Sequence, residues 1–333
     1  MSSALSSSPT RGLLADGAGQ TAGDPTVRIF WALMAAHGFL WWAICVFTQP
    51  NMPLDMVEML YWGQQWQLGY HKHPPLPAWL TATAFQIGGG HPWLCYALAQ
   101  ATILTTFWAV WQLAREGLRP WPALASVALL QTCYYCTLTI NDLNNTIITR
   151  PCWALAILFF YRALTRKSAQ TALLHWALTG VAIGLGMLSK YNMAVLAIVM
   201  LAVPVAIVST RRHLTTAGPW VMAGVAGLLF LPHVIWMVDD DFGTIRYVFE
   251  RSQGTGETTS WFSHLSSPAI FVVTQLLAVV PMIAIAWPTL RNRACAKSRT
   301  SVARSMPADV RSADFRRYVI VMTCGPIVFY LLV

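Results

Sequence analysis

The chain has 333 residues, 56% hydrophobic and 11% charged, with a net charge of +9 and a mean hydropathy of +0.51. Soluble domains carry about 25% charged residues, and the apolar runs here approach the ~20 residues that cross a bilayer. Soluble enzymes, disordered regulators and disulfide-rich secreted modules are thereby excluded; the chain reads as an all-α, polytopic membrane protein.

In chain order, residues 1–26 are rich in Ser, Gly and Thr and read as a disordered cytoplasmic tail, followed by one transmembrane domain over 27–333. The first apolar run, 27–49, lacks a small-residue cleavage site and is longer than a signal-peptide core, so it reads as a retained anchor. A polar, aromatic segment comes next, and with the short apolar stretch Leu76–Gly88 it makes an outer loop over 50–91. Further runs lie at 92–114, 120–140, 146–164, 170–189, 191–210, 218–238, 267–289 and 318–333. Together these predict eight full spans and a partial ninth. The last run stops mid-span, where a carboxylate would be costly, which predicts either a truncated chain or a poorly inserted end.

Charge sets the orientation. If Leu76–Gly88 is an interfacial helix and not a span, most Lys and Arg fall on one side with the amino terminus, as the positive-inside rule requires. Lys72, Arg150, Lys190, Arg246 and Arg251 then lie outside, together with Asp55, Glu58, Asp142 and Asp239–Asp241. The basic stretch 291–317 reads as a cytoplasmic loop touching anionic lipid heads. Membrane lipids are therefore expected partners and nucleic acid is not. Cys133 and Cys136 form a C-x-x-C inside an apolar stretch with no second pair, and they read as small hydrophobes.

The outer loop holds the chemistry-bearing residues. Asp55 and Glu58 at i and i+3 share a helix face, as a base with a hydrogen-bonding partner or as a metal clamp would. The same D-x-x-E spacing also fits an N-cap with its capping-box acid. His71-Lys72-His73 before Pro74-Pro75 places polar side chains at the start of the interfacial helix, facing an anionic head group. No ligand spacing on one rigid helix supports zinc; no metal ligand is assigned, and a divalent cation is the one cofactor left open. Lys190 in Leu188-Ser189-Lys190-Tyr191-Asn192 is either a snorkelling lysine or a contact for a lipid phosphate. The corner Asn141-Asp142-Leu143-Asn144-Asn145 has turn and cap composition.

The ordered set, an Asp in the first outer loop, G-Y-x-x-H-P-P-L-x-x-W-L and then L-S-K-Y-N, resembles polyprenyl-phosphate-sugar glycosyltransferases of the GT-C fold. The similarity is to the bacterial branch akin to protein O-mannosyltransferases and to the aminoarabinose and galacturonic acid transferases of lipid A. It covers roughly residues 27–290. The resemblance implies a sugar donor on a polyprenyl phosphate, a lipid or glycan acceptor in the cell envelope, and an active site on the periplasmic face of the bacterial inner membrane. It assigns acceptor activation to Asp55, with Glu58 as the second acid, and substrate binding to Lys72, His73, Asp142, Asn145, Lys190 and Tyr191. Relatives commonly have adjacent Asp-Glu where Met56 follows Asp55 here, and most are longer. A transporter or flippase of lipid-linked sugars and a truncated, inactive glycosyltransferase remnant are the competing readings; the acids at span ends and the lack of an internal repeat favour the enzyme over the transporter.

Overall fold

The computed structural model describes residues 24–252, 263–299 and 310–332. Among these the protein is all-α, and no strand is present. The tail expected over 1–26 lies outside the described residues up to position 23. The first helix, α1 (Pro25–Thr48), opens with Asp24 as N-cap, its carboxylate accepting from the Thr26 amide, and with Pro25 in the first turn. Such a cap satisfies one of the orphan donors of a helix start.

The outer loop folds as two short helices, α2 (Leu54–Gly63) and α3 (Leu76–Ile87). At 12 residues, α3 is too short to span, as expected for an interfacial helix. The two helices touch where Gly63 meets α3: a Cβ on Gly63 would sit 2.2 Å from the Ala78 carbonyl oxygen, so only glycine fits there.

Helix α4 (Trp93–Gly117) returns through the bilayer and packs on α1, with Phe30 stacked on Trp111 at 3.9 Å. The run 120–140, expected as one span, is not one helix. Helix α5 (Pro120–Leu130) stops after 11 residues and gives way to turns and a 3-10 turn at Tyr134–Cys136. The Thr132, Thr137 and Thr139 hydroxyls each donate to carbonyls three or four residues back. Arg150 binds the Tyr135 carbonyl and the Thr139 hydroxyl. These bonds replace the helical ladder.

Helix α6 (Asn145–Thr165) runs beside α4 and α7 (Ala169–Met187), and α7 in turn packs along α9 (Gly218–Asp239). Between them α8 (Met193–Ala206) is followed by a 3-10 helix, Val208–Thr215, bent from it by 116°. Helices α10 (Gly243–Ser252), α11 (Ser263–Arg299) and α12 (Val310–Leu332) complete the described chain. The basic stretch 291–317 is thus helical at both ends, while 300–309 lies outside the described residues. Helix α12 packs on α8, and the buried Tyr318 phenol donates to the Ile157 carbonyl of α6 at 2.6 Å. By length and apolarity, α1, α4, α6, α9 and the 268–288 part of α11 qualify as membrane-crossing, with the bent α8 pair as a sixth.

Two hydrophobic cores follow, one joining α1, α4, α5 and the 133–148 segment, the other joining α6, α7, α8 and α12. Helix α6 is shared, so its two ends connect opposite surfaces of the bundle.

Candidate active site

At one end of the bundle four separated segments converge. The first is α2. Its N-cap is Pro53, with no side-chain cap bond, so Asp55 stands in the first turn and is not a cap. Glu58 does not close a capping box either; it accepts from the Lys72 ammonium at 2.6 Å. The capping reading of D-x-x-E fails because better partners reach both acids from elsewhere in the chain.

The second segment is the turn before α3. Tyr70 and His73 exchange backbone hydrogen bonds of 3.1 and 3.2 Å, closing a tight loop that returns Lys72 to Glu58. Gly69 lies against α9: a Cβ there would meet the Trp236 ring at 2.2 Å. The G-Y-x-x-H-P-P pattern is therefore a packing and turn requirement as much as a chemical one. The Leu76 amide then donates to the Leu188 carbonyl at 3.1 Å, tying this turn to the L-S-K-Y-N segment.

The third segment is the corner before α6. Asn144 caps α6, its Oδ1 accepting from the Thr146 and Ile147 amides at 3.0 and 3.2 Å. Those two bonds fix the amide orientation, so its nitrogen must face outward. It donates to Asp55 Oδ2 at 3.2 Å and, more weakly, to Asp142 Oδ2 at 3.4 Å. Asp142 Oδ1 accepts from the Met56 backbone amide at 3.1 Å. One side-chain amide thus bridges two carboxylates.

The fourth segment follows α7. Lys190 Nζ donates to the Thr146 hydroxyl at 3.0 Å, one residue beyond Asn145. Lys190 makes no ion pair with a carboxylate among the described residues.

The electrostatics follow from this arrangement. Burial, reinforced by the neighbouring Asp55 charge, raises the Asp142 carboxyl to about 6. Burial lowers the Lys190 ammonium; the Arg150 guanidinium adds to this, and the Asp55 carboxylate opposes it. Burial, then the Lys190 charge, pushes His73 down to about 4. His73 is therefore neutral near pH 7. At that pH the ring can offer hydrogen bonds but no positive charge.

The sequence-derived residues divide accordingly. Asp55, Asp142, Lys190 and His73 share one neighbourhood, and Glu58 with Lys72 forms an ion pair at its edge. Asn145 is buried with its amide nitrogen unpartnered. Tyr191 turns elsewhere: its hydroxyl contacts His233 Nε2 at 2.7 Å and Thr244 Oγ1 at 3.1 Å. His233 Nδ1 must donate to the Leu68 carbonyl at 2.7 Å, so Nε2 accepts from Tyr191. That cluster fixes α9 and α10 to the outer loop. Two residues gain importance that spacing alone did not give them, Asn144 and Arg150. Asn144 reads locally as a turn former, and Arg150 as one more outer cation.

The donor set does not fit a bound cation: Asp55 and Asp142 are two ligands, and no group of three His, Cys, Asp or Glu side chains is gathered among the described residues.

An all-α membrane bundle whose loops bring paired carboxylates beside a half-buried lysine is the arrangement that the resemblance to GT-C glycosyltransferases implies. Residues 72–236 match the family described as dolichyl-phosphate-mannose-protein mannosyltransferase. The chain is 28% identical over 257 residues to the lipopolysaccharide core galacturonosyltransferase RgtB of Rhizobium johnstonii, covering 76% of this chain and 50% of that protein. It is 27% identical over 229 residues to the core galacturonosyltransferase RgtA (64% and 42%). To the lipid A galacturonosyltransferase RgtD it is 22% identical over 291 residues (83% and 58%), both from the same organism. No solved structure gives a significant match. The family match covers just under half of the chain, and the chain spans about half the length of the curated relatives it matches.

Proposed function

We propose that the protein transfers a sugar from a polyprenyl-phosphate donor to a lipopolysaccharide core or lipid A acceptor at the periplasmic face of the inner membrane. The relatives' names support a hexuronic acid as the sugar. The observation that carries the reading is the Asn144 bridge between Asp55 and Asp142 beside Lys190.

Transfer breaks the bond from the anomeric carbon to the phosphate oxygen and forms one to the acceptor hydroxyl oxygen. The hydroxyl proton passes to a carboxylate, and the polyprenyl phosphate leaves with one more negative charge. Asp55 suits the proton acceptor. It is exposed, and among the described residues only its Oδ2 is hydrogen-bonded, which leaves Oδ1 for the acceptor hydroxyl. Both oxygens of Asp142 are engaged, so it positions α2 through the Met56 amide. Lys190 faces the developing phosphate charge, held by a neutral hydroxyl that costs little to exchange. His73 contributes a neutral hydrogen bond, and the Glu58–Lys72 pair forms the edge of the site.

The test is mass spectrometry of lipopolysaccharide from a strain lacking the gene, complemented with the wild-type chain or with Asp55→Asn. A sugar-sized mass restored by the wild type and not by the variant supports the reading. An unchanged glycolipid profile in all three strains would sink it.

A further inference from the structure

The far end of the bundle, away from the paired carboxylates, carries two adjoining cavities of about 550 and 560 Å³. Both are lined by the same three cations, Arg166, Lys167 and Arg212. They lie where α6 ends, where the chain bends by 116° out of α8 into the 3-10 helix, and where α12 begins. We propose that this groove is a binding site for an anionic phospholipid of the leaflet at this end, with its phosphate held by Lys167 and Arg212.

The charge state of the groove points to a ligand. Arg166 is already paired with Glu116 at 2.6 Å. Asp314, the acid in the first cavity, accepts from Ser209 at 2.8 Å and faces Arg317 at 3.7 Å. Lys167 and Arg212 have no carboxylate within ion-pair distance among the described residues, and the Arg212 guanidinium lies 3.4 Å from Nε2 of its neighbour His213. Two exposed cations therefore face these cavities, and the one acid lining them, Asp314, is engaged by Ser209 and Arg317, a geometry suited to a phosphate carrying one negative charge.

The walls distinguish a lipid from a free anion. Tyr161, Leu164, Ile207 and Tyr318 form an apolar floor in the first cavity, and Leu173 with Trp176 lines the second. Leu173 is half exposed along α7, which gives an acyl chain an apolar path away from the cations. Cations above an apolar wall match a headgroup above its chain, whereas a solvated phosphate gains nothing from the wall. A lipid seated here would bridge α6, the 3-10 helix and α12.

The experiment uses the full chain purified in detergent, with binding read by native mass spectrometry and by the shift in thermal unfolding midpoint. The probes are phosphatidylglycerol, phosphatidylcholine and inorganic phosphate. Phosphatidylglycerol is expected to bind and raise the midpoint, with phosphatidylcholine and phosphate giving little. Lys167→Gln with Arg212→Gln should weaken phosphatidylglycerol binding about tenfold or more, as loss of hydrogen bonds to charged groups implies. Arg115→Gln with Arg119→Gln removes the same charge from another part of this end and should leave binding unchanged. Equal loss in both double variants would overturn the proposal in favour of diffuse surface charge. A phosphate shift matching that of the lipid would overturn it in favour of a free anion. Neither outcome touches the glycosyl-transfer reading, which rests on the opposite end.

Discussion

The two ends of α6 handle charge in opposite ways. At the end carrying Arg162 and Arg166, the Glu116 carboxylate accepts from both guanidinium groups at 2.8 and 2.6 Å, and Gln112 takes a further Arg162 nitrogen at 3.0 Å. Opposite charges meet there and are mutually satisfied. At the other end, Asp55 and Asp142 face each other across one neutral amide, and Lys190 is held by a hydroxyl. Like charges placed together with only neutral partners raise the energy of the empty site. A structural ion cluster removes that cost within the fold, whereas a reacting site keeps it to be relieved by substrate.

The largest effect that would sharpen this contrast is at Asp55. Asp55→Asn keeps size and hydrogen bonding to Asn144 but removes the proton acceptor, typically worth about 10²–10⁴-fold in rate. Transfer measured in proteoliposomes should fall by that range at unchanged protein level; near-normal transfer would make the outer carboxylates merely structural. Next comes Lys190. Lys190→Ala should raise the KM for donor and lower the rate by about tenfold or more, and Lys190→Arg should recover part of it by presenting a cation to phosphate. Equal loss in both would break its assignment to the donor phosphate.

Glu116→Gln probes the other end. It leaves the largely buried Arg162 and the partly exposed Arg166 without a counter-charge, and stability should drop by about 1–2 kcal/mol, below the cost of breaking a buried pair because solvent screens Arg166 and the amide still accepts. Thermal unfolding should show the loss, while the transfer rate per folded molecule stays constant.

Asp142 gives a pH test with a definite sign. Its folded pKa of about 6 lies above the ordinary 3.8, so the carboxylate is lost as pH falls through 6. Transfer should decline below about pH 6, because a protonated Asp142 no longer offers two acceptors to Met56 and Asn144. The raised pKa also means that the charged form burdens the fold above pH 3.8, fully so above 6. Asp142→Asn should therefore relieve that burden at pH 7 and not at pH 3.5, readable in unfolding midpoints at the two pH values. The smallest effect belongs to Glu58→Gln. Its ion pair with Lys72 has side chains 37% and 28% exposed, so the loss should be about 0–1 kcal/mol, with a minor change in rate.

The helical segments were legible from apolar run length and short polar breaks, but of the eight full spans and partial ninth expected, five or six among the described residues are long and apolar enough to cross a membrane. That Leu76–Ile87 is too short to span was expected from its length together with the distribution of Lys and Arg. The break at Leu130 did not, since a continuous apolar run looks the same whether it stays helical or turns. What decides it is a set of Thr hydroxyls and Arg150 from the next helix. The site was legible in its residue types and order. It was not legible in its pairings, because D-x-x-E looks like a cap until Lys72 and Asn144 are seen to reach those acids. The role of Tyr191 depended likewise on His233, 42 residues on.

The Asn144 bridge to Asp55 joins residues 89 apart in the chain, and this has a consequence for biogenesis. Synthesis delivers α2 and α3 first, and Asp55 must wait for α4, α5 and the following corner before its partner exists. Lys190 arrives only after α6 and α7 have been threaded. The outer site is thus a late product of insertion, closed by long-range contacts that form slowly. Until then the nascent chain presents Asp55 with no bridge and without Lys190 beside it, so the transfer proposed here would begin only once the bundle is assembled.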